Sequence, residues 1–168
     1  MKNYYAGIGA RKTPQDVLKS MTSFATLAEQ KGITLRSGGA KGADSAFELG
    51  VKNANNKDIF TTNSAYVDWE KAFITVNTFH PTPGKLSSYV RLLMARNAFQ
   101  VLGPNLDEPS AFVLCWTEDG ATENTTRKTG GTGQAIRIAN AYSVPIINMG
   151  SPTGLEQMWE LVTELKNK

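Results

Sequence analysis

Cysteine and histidine are almost missing from this chain of 168 residues: Cys115 and His80 stand alone. A single cysteine excludes an internal disulfide and any multi-cysteine zinc site. Cys115 lies in the apolar run Ala111-Phe112-Val113-Leu114-Cys115-Trp116, where a buried strand thiol is expected rather than a reactive one. His80 precedes Pro81 in a loop, without the spaced partners of a Ser-His-Asp triad or a metal site, and reads as structural or solvated. No metal and no cofactor is expected. Long apolar runs are also lacking, and the N-terminus has no signal-peptide core, so a cytoplasmic protein with no membrane partner is the expectation. Charge is thin too. A net +3 with a pI near 9.0 suits an anionic ligand but falls short of the lysine blocks of a DNA-binding tail.

Glycine, by contrast, is concentrated where it carries information. Three glycine-rich turns each follow an apolar run and open a helical pattern: Gly7-Ile8-Gly9-Ala10-Arg11, Ser37-Gly38-Gly39-Ala40-Lys41-Gly42-Ala43-Asp44 and Thr129-Gly130-Gly131-Thr132-Gly133-Gln134. A strand feeding a helix through glycines presents backbone N–H groups at the positive end of the helix dipole, an arrangement that binds phosphate or another anion. In a parallel sheet all such turns share the carboxyl edge. Three of them argue for one composite nucleotide-type pocket.

The rest of the chain supplies the matching elements. Strands are expected at 4–8, 33–35, 58–61, 111–116 and 144–148. Helices are expected after Thr13 (as N-cap, with Pro14 in the first turn) and at 43–53, 64–76, 86–102, 133–142 and 153–165. The nearly continuous apolar run at 111–116 is what a central parallel strand buried on both faces requires. Alternating strands and helices predict an α/β fold, a Rossmann-like, doubly wound, mainly parallel sheet of about five strands with helices on both faces. No repeat or linker divides the sequence, so 1–168 reads as one nucleotide-binding domain. The polar stretch 117–128 reads as a mobile loop able to fold over a ligand.

These turns resemble those of the SLOG superfamily of Rossmann-like proteins, which includes the DNA-processing protein A family and the "lonely guy" phosphoribohydrolases. The stretch from Ser37 to Ala46 is similar to the glycine-rich turn of the DNA-processing family, and Arg96-Asn97 and Thr129–Ala135 follow in that family's order. The resemblance spans roughly residues 4–148 and extends to small stand-alone members often encoded by bacteriophages, which implies the host cytoplasm for a phage-encoded chain. The phosphoribohydrolases carry Pro-Gly-Gly-x-Gly-Thr-x-x-Glu with a catalytic glutamate. Aligning the glycines sets Thr129 at the proline, Gln134 at the threonine and Arg137 at the glutamate. Arg96 matches the arginine of that family's Arg-Lys pair. The resemblance thus implies the phosphate-binding half of the site and leaves the acid replaced by a cation.

The expected ligand-binding set is Gly9, Arg11, Ser37, Gly38, Gly39, Lys41, Gly42, Asp44, Arg96, Asn97, Thr117, Gly130, Gly131, Thr132, Gly133 and Gln134. Asp44 is either a helix cap or a contact to ribose or base, and Arg36 either faces the crevice or forms an ion pair. A hydrolase would need Asp44, Glu48 or Asp119 to stand in for the acid lost at Arg137. Three functions follow: a nucleotide sensor or sequestering protein, with an anti-defence role if phage-encoded; an N-glycoside hydrolase; or a single-stranded DNA binder. Tyr66, Trp69, Phe73, Tyr89, Phe99 and Trp159 read as core. The apolar content of 64–76 and 86–102 exceeds what five short strands cover, so a homodimer or higher homo-oligomer is expected.

Overall fold

The computed structural model describes residues 3–168. Five strands form one sheet: β1 (Asn3–Gly9), β2 (Ile33–Ser37), β3 (Lys57–Ile59), β4 (Phe112–Trp116) and β5 (Ile146–Asn148). Their order is β3-β2-β1-β4-β5 and every pairing is parallel. Six α-helices connect and flank them: α1 (Gln15–Gln30), α2 (Ala43–Gly50), α3 (Trp69–Phe79), α4 (Ser88–Leu102), α5 (Thr132–Ala141) and α6 (Gly154–Asn167). This is an α/β, Rossmann-like fold.

Strand alternation divides the core in two. Tyr5, Leu35 and Leu114 face one side, where Met21 and Phe24 of α1, Phe47 of α2 and Met158 of α6 cover them. Ala6, Ile8, Val113 and Cys115 face the other, beneath Val76 of α3, Phe99 of α4 and Ile136 of α5. A side chain one residue along a strand changes face, so a sheet buried on both sides needs the uninterrupted apolar run seen in β4. Burial pushes the Cys115 thiol up to about 12, which leaves it inert at neutral pH. His80 Nδ1 accepts from the Thr82 N–H at 3.1 Å and braces the turn after α3.

Several boundaries differ from expectation. Helix α3 begins at Trp69, not near residue 64, because Asp68 caps it by accepting from the Lys71 N–H at 3.0 Å. Tyr66, in the turn before it, has φ of 59° and is 99% exposed, so it is no core residue. Tyr89 and Trp159 are exposed as well, whereas Trp69 and Phe73 pack on the core and Phe99 is within it. Thr13 does not cap α1; its hydroxyl donates to Ala10 O at 2.6 Å and closes the preceding turn. Helix α2 ends at Gly50, whose Cα lies against α1. Val67, Trp69, Phe73, Val76, Leu93 and Phe99 fill this chain's own core, so the surplus apolar surface behind the expected dimer is mostly spent internally. Arg36 is fully buried on β2: its Nη2 meets Glu108 Oε2 at 2.9 Å and its guanidinium stacks on Tyr4 at 3.7 Å. It is an ion pair and does not face the crevice.

Candidate functional site: a cationic cleft on the carboxyl edge

The strand-to-helix turns of β1, β2, β3 and β4 open into one cleft of about 770 Å³. Its walls include Gly9 and Arg11 after β1, Gly38, Gly39 and Lys41 after β2, Thr61 and Thr62 after β3, and Gly130–Thr132 after β4. Arg96 and Asn97 of α4 close the floor. Six cations line it (Arg11, Lys12, Lys41, Arg96, Arg127 and Lys128) against one acid, Asp44. A third of the chain's 18 basic residues therefore face a single cavity, although the whole molecule carries only +3. Clustering of one sign in a concave site focuses the field on an anionic ligand.

The second glycine turn is not the vacant cradle that its sequence suggests. Asp44 Oδ2 accepts from the Gly38 N–H at 3.0 Å and the Ala40 N–H at 3.4 Å. Glu48 Oε1 accepts from the Gly39 N–H at 3.1 Å and from the Ser37 hydroxyl at 2.6 Å. Two carboxylates from the first two turns of α2 thus occupy the donors an anion would use. Burial is the main force on Asp44, pushing its carboxyl up to about 6; Arg96 and the Ala40 and Gly38 N–H groups pull the other way.

Arg96 and Asn97 join the second turn to the third. Arg96 Nη1 donates to Gly38 O at 2.9 Å, and Asn97 Nδ2 donates to Gly131 O at 3.0 Å. A Cβ on Gly38 would lie 2.9 Å from Asp44 Oδ2 and 3.0 Å from Arg96 Cζ, so only glycine admits this packing. Arg96 Nε is buried without a hydrogen-bond partner beside the cleft.

The loop before the third turn is pinned at several points, contrary to the expected mobile lid. Asp119 accepts from the hydroxyls of Thr117 (2.9 Å), Thr126 (2.8 Å) and Thr129 (2.5 Å), and from the Ala121 N–H at 3.3 Å. Burial works against its charge, but the bonds from Thr129, Thr126 and Thr117 outweigh it and hold this carboxyl below the usual range. Arg137 Nη1 donates to Thr125 at 2.8 Å, Asn148 Nδ2 to Ala121 O at 2.7 Å, and Lys12 pairs with Glu118. The reciprocal bonds of Thr126 and Thr129 form a capping box around a short turn (Arg127–Thr129), which sets Arg127 and Lys128 on the cleft wall.

Of the expected ligand set, Gly9, Arg11, Gly38, Gly39, Lys41, Asp44, Arg96, Asn97, Gly130, Gly131 and Thr132 line the cleft. Ser37, Gly42, Thr117, Gly133 and Gln134 do not. Ser37 is buried under Glu48, and Gly42 faces a separate hollow between α1 and α2. Thr117 is locked to Asn148 and Asp119, and Gln134 donates to Thr75 O while accepting from Arg137. Gly133 is buried against Arg137 and Thr129. Among the three acids considered for catalysis, Asp44 alone reaches the cleft; Glu48 commits one oxygen and Asp119 both oxygens to the framework. Lys12, Thr61, Thr62, Tyr89, Arg127 and Lys128 also line the cleft, and the glycine pattern does not single them out. Arg127-Lys128, directly before the Thr-Gly-Gly of the third turn, is the one sequence signal that points to them.

An all-parallel sheet in the order 3-2-1-4-5, with a cleft across its central turns, defines a Rossmann-like fold. Two solved structures share the fold. DNA processing protein A from Helicobacter pylori, a protein with a single-stranded DNA binding mode, superposes with a TM-score of 0.55 at 15% identity, over 94% of this chain and 72% of that one. DNA processing protein A from Streptococcus pneumoniae gives 0.53 at 17% identity, over 98% of this chain and 56% of that one. At such identities the likeness is one of fold. No family model and no curated protein matches this sequence. Among the described residues, no helix is long and apolar enough to cross a membrane.

Proposed function

We propose that this chain binds a nucleotide or nucleotide-derived ligand in the carboxyl-edge cleft and holds it without turnover. The observation that carries the reading is the convergence of six cations on one cavity whose walls are glycine turns. Its volume lies within the range of small-molecule sites. The lack of turnover rests on the acids: Arg137 occupies the position of the resembling family's catalytic glutamate, Glu48 lies outside the cleft lining with one oxygen committed to Ser37 and Gly39, and both oxygens of Asp119 are taken by framework donors. Asp44 remains as a carboxyl in the cleft, and it is committed to two backbone N–H groups. A protein that grips a nucleotide in this way acts as a sensor or a sink; in a phage-type relative, the sink would remove a host defence signal from the cytoplasm.

A thermal-shift panel of mono-, di- and cyclic nucleotides tests the reading. A ligand at a hundredfold its dissociation constant stabilises by about 2.7 kcal/mol, worth roughly 5–10 °C for a domain of this size. No shift with any member of the panel sinks the proposal. Chromatography after incubation should find no free base; its release would instead assign an N-glycoside hydrolase.

Similarity to the Helicobacter pylori protein supports a second reading, single-stranded DNA binding. The cleft cations would then track a phosphate backbone, and oligonucleotide affinity would fall steeply with salt, with a log–log slope of about −0.7 per neutralised phosphate. An oligonucleotide bound with a near-zero slope, or not bound, removes this reading.

A further inference from the structure

The cleft is polarised along the sheet edge. In the order β3-β2-β1-β4, the turn after β3 contributes the uncharged Thr61 and Thr62, the turn after β2 contributes Lys41, and α2, which follows it, contributes the cleft's one acid, Asp44, with Arg96 of α4 beside it. The turns after β1 and β4 contribute Arg11, Lys12, Arg127 and Lys128. Three inter-strand spacings separate the outer turns, about 14 Å, the span of a nucleotide rather than of a lone phosphate. At the β2 end the backbone donors of Gly38, Gly39 and Ala40 are already taken by Asp44 and Glu48. A phosphate brought there would compete with two resident carboxylates for the same N–H groups. At the β4 end no carboxylate lines the cleft itself, and Glu118, just outside it, pairs with Lys12.

Asp44 itself is 2% exposed, and both of its hydrogen bonds use Oδ2. Oδ1 accepts no hydrogen bond among the described residues, although Asp44 borders the cavity. An unpaired carboxylate oxygen at a cavity wall is an acceptor, and a ligand hydroxyl or N–H can meet it where a phosphate oxygen is repelled.

We infer that Asp44 is a specificity-determining residue, which orients a nucleotide with its phosphate against Arg11, Lys12, Arg127 and Lys128 and a sugar hydroxyl or base N–H donating to Asp44. The inference rests on the nucleotide reading above and adds a direction to it. The bare anion and the nucleotide then share one end of the cleft and differ at the other. Asp44 discriminates between them, whereas the four cations do not.

Calorimetric titration of the full chain with ribonucleoside 5′-monophosphates and with inorganic pyrophosphate tests this. Asp44→Asn keeps an oxygen for the Gly38 N–H but removes the charge. It should weaken the nucleotide that binds best by about tenfold or more and leave pyrophosphate unchanged or tighter. The double variant R127A/K128A should weaken both ligands together. Equal changes for nucleotide and pyrophosphate in Asp44→Asn, or no change for the nucleotide, overturn the inference while the nucleotide reading stands. Failure of the wild-type chain to bind any nucleotide defeats that reading first, and the inference with it. If Asp44→Asn does not fold, the wild-type chain decides through pH. The groups facing Asp44 are Arg96 of α4, Glu48 of α2 and the N–H groups of the β2 turn, with Arg11 acting on Arg96. The ratio of nucleotide to pyrophosphate affinity should rise from pH 5 to pH 7 as Asp44 ionises, and a flat ratio overturns the inference.

Discussion

The second and third glycine turns are each organised by one aspartate, with opposite electrostatic results. Asp44 sits beneath its turn, buried and beside Arg96, and accepts only two backbone N–H groups; its carboxyl is pushed up to about 6. Asp119 sits at the surface, ringed by three threonine hydroxyls and a backbone N–H, and is held below the usual range. One carboxylate is kept at a cost in stability next to a cavity, and the other stiffens a loop that carries cations. A charged group that weakens the fold yet borders a cleft is the kind that function retains.

The glycines offer the sharpest way to break this comparison. Gly42 has φ of +89°, and a Cβ there would lie 2.7 Å from Ala10 O and from Arg11 Cα. Gly42→Ala should therefore cost about 3 kcal/mol or more, through backbone strain and steric overlap together. Gly130 has φ of +66° and ψ of −152°, a region all but reserved for glycine, yet open space around it, so Gly130→Ala should carry backbone strain alone, about 1–3 kcal/mol. Chemical denaturation of both variants checks the pair. Equal losses would mean that the second turn yields as easily as the third.

The aspartates give the next largest effect. A raised carboxyl favours the protonated folded state, so the Asp44 contribution is fully present below pH 4 and is lost as pH rises through about 6. A displacement of this size from the ordinary aspartate range is worth on the order of 3 kcal/mol. Asp44→Asn should thus match the wild type near pH 4 and gain up to about that much by pH 8. Melting curves across this range should diverge; parallel curves would show that Asp44 ionises freely. Asp119 has the reverse sign, stabilising above its unfolded range and less so as pH falls. Asp119→Ala removes four acceptor bonds at an exposed site and should cost about 2 kcal/mol at neutral pH, discounted for solvent screening. Limited proteolysis should then cut within residues 120–128, and an uncut loop would show that Arg137, Asn148 and Lys12 hold it unaided.

Much of the fold is legible in the sequence because strand and helix periods are local. The apolar run ending at Trp116, the stripe from Val17 to Ala28 and the glycine punctuation each report on a few neighbouring residues. The all-parallel sheet follows from their alternation. The fate of the glycine donors is not legible, since Glu48 reaches Gly39 across nine residues and Asn97 reaches Gly131 across 34. Tyr66 and Tyr89 escape the pattern for a related reason. Aromatic spacing fits a helical stripe, but the Asp68 cap delays α3 past Tyr66, and Tyr89 opens α4 on the cleft side. The Arg96-Asn97 pair does stand at the cleft as its sequence position suggests, yet its bonds run to backbone carbonyls of two turns.

The position of β1 in the sheet has a consequence in time. Its residues Tyr5 and Ala6 pair with both β2 and β4, so the strand of this sheet that is synthesised first is the central one. By residue 59 the chain has made β1, β2, β3 and two of the helices that cover one face, but Phe112–Trp116 must still be synthesised. At ordinary translation speeds that interval is on the order of several seconds. Throughout it, one edge of β1 has no neighbour, and the Ala6–Ile8 face gains cover only as α3 and α4 are made. The nascent half-domain is therefore an open template for a second nascent copy. The arrival of one apolar strand, β4, closes the edge, while α4, made just before it, caps the face.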